Sequence, residues 1–132
     1  IEVYKTRETV GTEFYFVIER KDQVRCGVVR LYDITDDQFT WGSWILDHNK
    51  PRKAALESAV LIYRYGFEVL GLSRSIFDVR RGNEKTLAFH RRLKATQIDE
   101  DDQNIYFVYS RAQFTADKSA HMDVLQSGNY ND

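Results

Sequence analysis

The hydrophobic period of this chain changes at about residue 50, and no other sequence feature constrains the fold as strongly. Before residue 50, apolar and aromatic residues alternate with polar ones, as they do in half-buried strands. After it, apolar residues recur every three or four positions, which predicts a helix. We therefore expect strands at 13–20, 24–32 and 38–46, forming an antiparallel meander, and then a long helix from Arg52 to Leu70.

A second strand–turn–helix unit follows the first. Residues 73–79 predict a strand, and residues 84–93 predict an amphipathic helix. Strand–helix–strand crossovers are right-handed and join parallel strands, so the third and fourth strands should be parallel neighbours. The predicted fold class is α/β with a mixed sheet, an antiparallel meander followed by β-α-β-α-β-β. The remaining predicted segments are a short strand at 95–98, a strong strand at 105–109, a weak helix at 115–125 and a frayed tail at 126–132.

Composition limits the size and class of the protein. A chain of 132 residues, 42 % of them apolar, can bury one core. We expect a single domain at 1–112 and a weakly helical carboxy-terminal extension at 113–132. No apolar run approaches the ~20 residues that a membrane-spanning helix needs. A net charge of −1 gives no field that attracts nucleic acid. We expect neither a membrane nor a nucleic-acid partner.

The chain has one cysteine, Cys26, within an apolar strand pattern. A single thiol cannot form an internal disulfide or make a zinc site alone, and the sequence predicts no metal site. A buried core cysteine fits a reducing compartment, so we expect a cytoplasmic protein.

Residues 83–93 carry the most specific motif, Asn-Glu-Lys-Thr-Leu-Ala-Phe-His-Arg-Arg-Leu. It resembles the Asn-Glu-Lys-Ala-Leu-x-Leu-Tyr-x-Lys-Leu motif of the GNAT superfamily of N-acetyltransferases. Residues 65–70, Tyr-Gly-Phe-Glu-Val-Leu, resemble a helix end in members that act on small amines and amino sugars. The resemblance covers about residues 13–112 and implies a GNAT-like fold.

The resemblance implies acetyl-coenzyme A as the donor. Its pantetheine arm would lie between the diverging ends of the two parallel strands, and its pyrophosphate would lie on the turn and helix start at 48–54. Backbone N–H groups and the positive end of a helix both favour an anion there. Asn83 would hydrogen-bond the pantetheine amides and also cap the second helix. The candidate cofactor-binding residues are Trp44, Ile45, Leu46, Asn49, Lys50, Arg52, Lys53, Ala54, Asn83 and Thr86.

The pyrophosphate turn departs from the family pattern, which is Gln/Arg-x-x-Gly-x-Gly/Ala. With the helices aligned on Leu56, the two glycine positions fall on Lys50 and Arg52. Glycine lets the backbone approach a phosphate closely. Its loss implies either a shifted turn that uses Ala54 or weaker cofactor binding. Asn49 is the expected cap of the helix that follows.

Two residues are candidates for catalysis. His90 stands where the family usually has a tyrosine beside the thiol sulfur. An unperturbed imidazole, roughly a quarter protonated at pH 7, would donate either a proton or a hydrogen bond to the leaving thiolate. Asp78 is a candidate general base, with Asp33 and water as alternatives. Trp41 and Trp44 should face opposite sides of their strand, one in the core and the other lining the acceptor pocket.

The function expected from this resemblance is N-acetylation of a primary amine by direct attack, since Cys26 lies mid-strand. The acceptor is a small amine, with a nucleotide-linked amino sugar favoured. A protein amino terminus and a non-catalytic acyl-coenzyme A-binding module remain alternatives, and exposed strand edges would allow a homodimer. The family normally has a strand and two helices before the first hairpin. We expect these to be missing, with residues 1–10 as a remnant of the second helix.

Overall fold

The computed structural model describes residues 1–9 and 13–126, which fold into a seven-stranded mixed sheet covered by helices. The sheet order is β1-β2-β3-β4-β5-β7-β6. The strands are β1 (Glu2–Thr9), β2 (Glu13–Glu19), β3 (Arg25–Tyr32), β4 (Gln38–Leu46), β5 (Arg74–Arg80), β6 (Thr96–Glu100) and β7 (Asn104–Ser110). The helices are α1 (Ala54–Arg64), α2 (Glu84–Arg92) and α3 (Arg111–Gln126), and a π-helical turn (Tyr65–Val69) continues α1.

The predicted fold class is confirmed. Strands β2, β3 and β4 form the antiparallel meander, and β4 pairs with β5 in parallel, as the crossover through α1 requires. Strand β7 inserts between β5 and β6, antiparallel to both. Of the predicted tail at 126–132, Gln126 instead ends helix α3, and residues 127–132 lie outside the described residues.

The amino-terminal segment differs from the prediction. Residues 2–9 form strand β1 rather than the remnant of a helix, and β1 pairs antiparallel with β2 through contacts such as Val3 with Ile18. A free edge of β2 would expose a row of backbone N–H and C=O groups, and β1 satisfies them. That tertiary requirement outweighs any helical preference of so short a segment.

The core lies on one face of the sheet. Burial alternates strictly along β2 and along β7, so one side of each strand is packed and the other is not. Aromatic rings join α1 and α2 to the packed face, and join α3 to α1. Trp41 of β4 lies 5.4 Å from Tyr63 of α1 and 5.5 Å from His90 of α2, and Phe114 of α3 lies 5.9 Å from Tyr63, all between ring centroids.

The end of the first helix is shaped by close packing. The backbone N–H of Leu70 donates to the carbonyl of Tyr65 at 2.9 Å, the spacing of a π-helical turn. Gly71 follows in the left-handed region with φ 74°, a conformation that commonly ends a helix and that glycine adopts without strain. Gly66 packs directly on Phe39, so a β-carbon at residue 66 would overlap the phenyl ring.

Gly66→Ala should therefore destabilise the protein by overpacking, by about 1–3 kcal/mol. Gly82→Ala is the matched control, because nothing lies within 4 Å of a β-carbon there. Urea unfolding of both variants measures the difference. Equal stability of the two variants would contradict the packing argument.

No helix in the described part of the chain is long and apolar enough to cross a membrane.

Candidate active site

Strands β4 and β5 are paired only at their beginnings. The parallel ladder joins Gln38 to Arg74, Phe39 to Ser75 and Thr40 to Ile76, and ends there, although both strands continue. Beyond the ladder a cavity of about 160 Å³ opens between them. Its lining comes from β4, β5 and α2 with its N-cap: Trp41, Gly42, Ser43, Trp44, Phe77, Asp78, Val79, Arg80, Asn83, Thr86 and His90. We call this cavity the cleft.

A β-bulge in β4 accompanies the separation of the strands. On β3, Val28 pairs with Ile45 and Arg30 pairs with Gly42, so two residues of β4 oppose one residue of β3. Ser43, within the bulge, has a left-handed φ of 47°. The extra residue changes the alternation of side chains along the strand.

The prediction that Trp41 and Trp44 face opposite sides is wrong because of this bulge. The two indole rings lie 5.1 Å apart on the packed face. Trp41 is buried in the core and Trp44 is half-buried between the cleft and the helices. The indole N–H of Trp44 donates to the hydroxyl of Ser58 on α1 at 3.1 Å, which fixes the orientation of its ring.

A larger cavity of about 330 Å³ adjoins the cleft, and the two share Trp44 and Thr86. We call it the outer cavity. It lies between the end of β4, the start of α1 and the length of α2. It is lined by Trp44, Ile45, Leu46, Lys50, Ala55, Lys85, Thr86, Phe89 and Arg92.

The structure brings together six of the ten candidate cofactor-binding residues along these two cavities: Trp44, Ile45, Leu46, Lys50, Asn83 and Thr86. The other four lie in the adjoining turn and helix start and are not part of either lining: Asn49, Arg52, Lys53 and Ala54.

The turn before α1 has a different construction from the one predicted. The backbone N–H of Asn49 donates to the carboxylate of Asp47 at 2.8 Å, so Asn49 belongs to an Asx-type turn and does not cap the helix. The N-cap is Lys53, which uses no side-chain hydrogen bond. The amino end of a helix favours an anion through its backbone N–H groups and its dipole, and the side chain of the N-cap residue does not occupy that end of α1.

The position in this turn that favours glycine is Lys53, rather than Lys50 or Arg52. Lys53 has φ 66°, in the left-handed region that costs a non-glycine residue about 1–2 kcal/mol. Its ammonium group donates to the carbonyl of Leu125 at 2.8 Å, in the last turn of α3. A cation is favourable at the carboxyl end of a helix, so this contact offsets part of the backbone cost.

Asn83 caps α2, as predicted. Its side-chain oxygen accepts from the backbone N–H of Thr86 at 3.3 Å. The rest of the side chain is exposed at the rim of the cleft. The cap therefore fixes Asn83 where its amide N–H₂ group can still donate to a ligand.

His90 is enclosed by aromatic rings at the inner wall of the cleft. It is 3 % exposed, and its ring centroid lies 4.4 Å from that of Phe77, 5.3 Å from Phe89 and 5.5 Å from Trp41. Its Nδ1 atom has no hydrogen-bond partner among the described residues. Burial lowers the pKa of His90 from 6.5 to about 3. The expectation of a partly protonated imidazole is therefore wrong, and His90 is neutral at pH 7.

Comparison with known proteins identifies the family. Residues 2–96 match the acetyltransferase (GNAT) domain family. This chain belongs to the GNAT acetyltransferase family. No curated protein sequence matches it significantly.

The solved structures that resemble this GNAT domain agree with that assignment. FdhC, described as a nucleotide-linked sugar GNAT, is 43% identical with a TM-score of 0.82, and the match covers 85% of this chain and 65% of FdhC. PseH from Campylobacter jejuni, solved with acetyl-coenzyme A, is 23% identical with a TM-score of 0.68, and the match covers 76% of this chain and 70% of PseH. A GCN5-related N-acetyltransferase from Brucella melitensis is 19% identical with a TM-score of 0.78, and the match covers 91% of this chain and 61% of that protein.

The chain thus spans 65% of the length of FdhC. The predicted GNAT resemblance and GNAT-like fold are confirmed by these matches.

Asp78 lies on β5 of the GNAT domain, exposed and facing the cleft. Tyr32 of β3 lies across from it. Burial raises the pKa of the Tyr32 hydroxyl, and the nearby charge of Asp78 adds to the effect. The hydroxyl oxygen lies 3.0 Å from where a β-carbon of Gly42 would be, so Gly42 leaves room for it beside the cleft.

Sequence reasoning missed Tyr32, Lys85, Phe89 and Arg92. The sequence contained a pattern that predicts the last three: Lys85, Phe89 and Arg92 are spaced by four and three residues, which places them on one side of α2. For Tyr32 no local pattern was available, because its position beside Asp78 depends on how the sheet is assembled.

The buried His90 makes a prediction about stability and pH. The pKa of His90 is about 3 in the folded protein, whereas the ordinary value of 6.5 applies when the chain is unfolded. Between these values the unfolded chain binds the proton and the folded protein does not, so the free energy of unfolding falls as the pH falls from 6.5 towards 3. At pH 4.5 this group should cost about 2–3 kcal/mol relative to pH 7.

His90→Phe removes this pH-dependent contribution to the free energy of unfolding. The variant should therefore lose less stability than the wild type between pH 7 and pH 4.5. Urea unfolding at the two pH values measures it. His121, whose pKa burial also lowers, contributes to both proteins and cancels in the comparison. Parallel losses in wild type and variant would show that His90 is not held neutral.

Proposed function

We propose that this protein transfers an acetyl group from acetyl-coenzyme A to a primary amine by direct attack. The observation that carries the proposal is the early end of the β4–β5 ladder, with a cleft beyond it that adjoins Asn83 and His90. The family provides the reaction class, and the cleft provides a narrow site whose walls are fixed by packing.

The donor fits along the two cavities in this proposal. The pantetheine arm lies beside the unpaired part of β4 at Trp44, Ile45 and Leu46, with Asn83 and Thr86 on the opposite wall. The pyrophosphate lies against the turn and the start of α1, at Asn49, Lys50, Arg52, Lys53 and Ala54. The positive end of a helix and its backbone N–H groups suit a phosphate group. The acetyl-coenzyme A complex of PseH, which shares the fold, supports this choice of donor.

The reaction forms a bond between the acceptor nitrogen and the acetyl carbon and breaks the bond between that carbon and the thiol sulfur. The nitrogen must first lose a proton, which Asp78 or a water molecule beside it would accept. A backbone N–H near Ile45 or Leu46 would donate to the carbonyl oxygen as negative charge develops on it. The thiolate leaves with the electron pair and takes up a proton from water.

His90 has a narrower role than a charged acid. As a neutral imidazole it has one N–H, which would donate a hydrogen bond to the departing sulfur and stabilise its charge. In a cleft walled by Phe77 and Trp41 such a bond is stronger than in water, because the local dielectric is low.

A nucleotide-linked amino sugar is the proposed acceptor. The 43% identity with FdhC, a nucleotide-linked sugar GNAT, supports it, as does the resemblance of residues 65–70 to members that act on small amines. A protein amino terminus is the alternative substrate. We also propose a cytoplasmic location, since the buried free thiol of Cys26 fits a reducing compartment.

A second candidate function is an acyl-coenzyme A-binding module without catalysis. Two observations favour it. Lys53 stands at the left-handed position of the turn, where glycine would allow closer approach, and His90 is neutral at pH 7 and so is not the cationic acid that would protonate a thiolate readily.

Calorimetric titration with acetyl-coenzyme A, followed by a thiol-release assay on a panel of amines, separates these functions. We expect binding together with release of coenzyme A in the presence of a nucleotide-linked amino sugar. Binding without thiol release on any amine would favour the module, and absence of binding would exclude both.

His90→Phe should lower kcat by about ten- to a hundredfold while the Kd for acetyl-coenzyme A changes little, because a hydrogen bond to a developing charge contributes mainly in the transition state. Steady-state kinetics and titration measure the two quantities. His121→Phe is the control, since it removes a buried histidine of α3 that lines neither cavity. An unchanged kcat in His90→Phe would dismiss the role.

A further inference from the structure

Helix α2 presents a cationic stripe to the outer cavity. Lys85, Phe89 and Arg92 are spaced by four and three residues, so their side chains share one side of the helix, and all three line the cavity. The guanidinium carbon of Arg92 lies 5.9 Å from the centroid of the Phe89 ring. Seven residues of helix place the two cations about 10 Å apart along the axis.

The charges around the outer cavity have one sign. Its charged lining residues are Lys50, Lys85 and Arg92, and the remaining lining is apolar apart from Thr86. An apolar floor with a cationic rim suits a ligand that has a flat or aliphatic part and more than one anionic group. Three cations also exceed what a neutral pantetheine arm requires.

The positions of these cations divide them into two groups. Lys50 lies in the turn before α1, beside the helix start to which the pyrophosphate is assigned. Lys85 and Arg92 lie on the α2 wall of the same cavity. Coenzyme A carries one further phosphate, the monoester on the 3′ oxygen of its ribose, and the α2 wall is the part of the lining that has cations not already assigned.

We propose that Lys85 and Arg92 bind the 3′-phosphate of coenzyme A, and that this contact selects free coenzyme A thioesters over donors that lack the 3′-phosphate. The inference rests on the proposed function, because it names a contact within the same donor site. The phosphate is a dianion, and two flanking cations that approach it would form charge-assisted hydrogen bonds. Both side chains are exposed, so salt weakens the contact.

The test compares coenzyme A with 3′-dephospho-coenzyme A by calorimetric titration at low and at physiological salt. The proteins are wild type, Lys85→Gln with Arg92→Gln, and the control Arg91→Gln. Arg91 is an exposed cation on the same helix that lines neither cavity. Both replacements keep a polar side chain at an exposed helix position, and thermal unfolding verifies that each variant is folded.

We expect wild type to bind coenzyme A at least about tenfold more tightly than the dephospho form at low salt, a difference of about 1.4 kcal/mol. The double variant should bind both ligands with nearly equal affinity, at the level of wild type with the dephospho form. Arg91→Gln should keep the wild-type preference, and the preference should shrink as salt is added.

Three results would overturn the assignment. A wild type that binds both ligands equally does not recognise the 3′-phosphate. A double variant that weakens both ligands by the same factor places these cations on the pyrophosphate. If Arg91→Gln loses the preference as fully as the double variant, the preference depends on the overall positive charge of the helix and not on Lys85 and Arg92. Failure of wild type to bind coenzyme A at all would instead reject the proposed function, and this inference with it.

Discussion

The bulge at Ser43 is the local feature on which the site depends. Parallel strands that continued in register past Thr40 and Ile76 would satisfy each other's backbone groups and leave no space between them. In β4 the extra residue keeps the strand paired with β3 on one side and coincides with the loss of pairing to β5 on the other. The end of β4 therefore retains unpaired backbone groups toward the cleft. Such groups are costly when buried without partners, so a cleft open to ligand or water is the stable arrangement.

The same bulge determines the chemistry of the inner wall. By turning Trp44 to the packed side, it places two indole rings next to each other and both within 6.0 Å of the His90 ring. These rings keep water away from the imidazole, and this burial lowers the pKa of His90, so the ring is neutral at pH 7. The packing that stabilises the cleft therefore disfavours a cationic His90, and the proposed mechanism uses His90 as a neutral hydrogen-bond donor. The stability of the wall and its chemistry have one physical origin.

Much of this architecture follows from local sequence signals, and the exceptions have identifiable causes. The change of hydrophobic period predicted the meander and the crossover, and Asn83 was recognisable as a cap because its local chemistry is short-range. The opposite-face assignment of Trp41 and Trp44 failed because alternation assumes an unbroken strand, and Gly42-Ser43 was the only hint of a bulge. Strand β1 was missed because its conformation is imposed by the edge of β2. The depressed pKa of His90 depends on rings from four separate elements that only the folded chain brings together.

The turn before α1 shows how a departure from the family pattern is accommodated. A lysine in the left-handed region carries a backbone cost that a glycine would avoid, yet its side chain reaches the last turn of α3 and donates to Leu125. This contact involves the ammonium group of Lys53, which the sequence analysis assigned to the pyrophosphate. It also connects the end of α3 to the start of α1. With the ammonium of Lys53 placed there, the cations that face the outer cavity are Lys50 and the two on α2. In the proposed donor site, part of the positive charge that would attract a polyphosphate therefore comes from the α2 wall, opposite the turn that carries Lys50. The departure in sequence thus changes which side chains supply the positive charge in that proposed site.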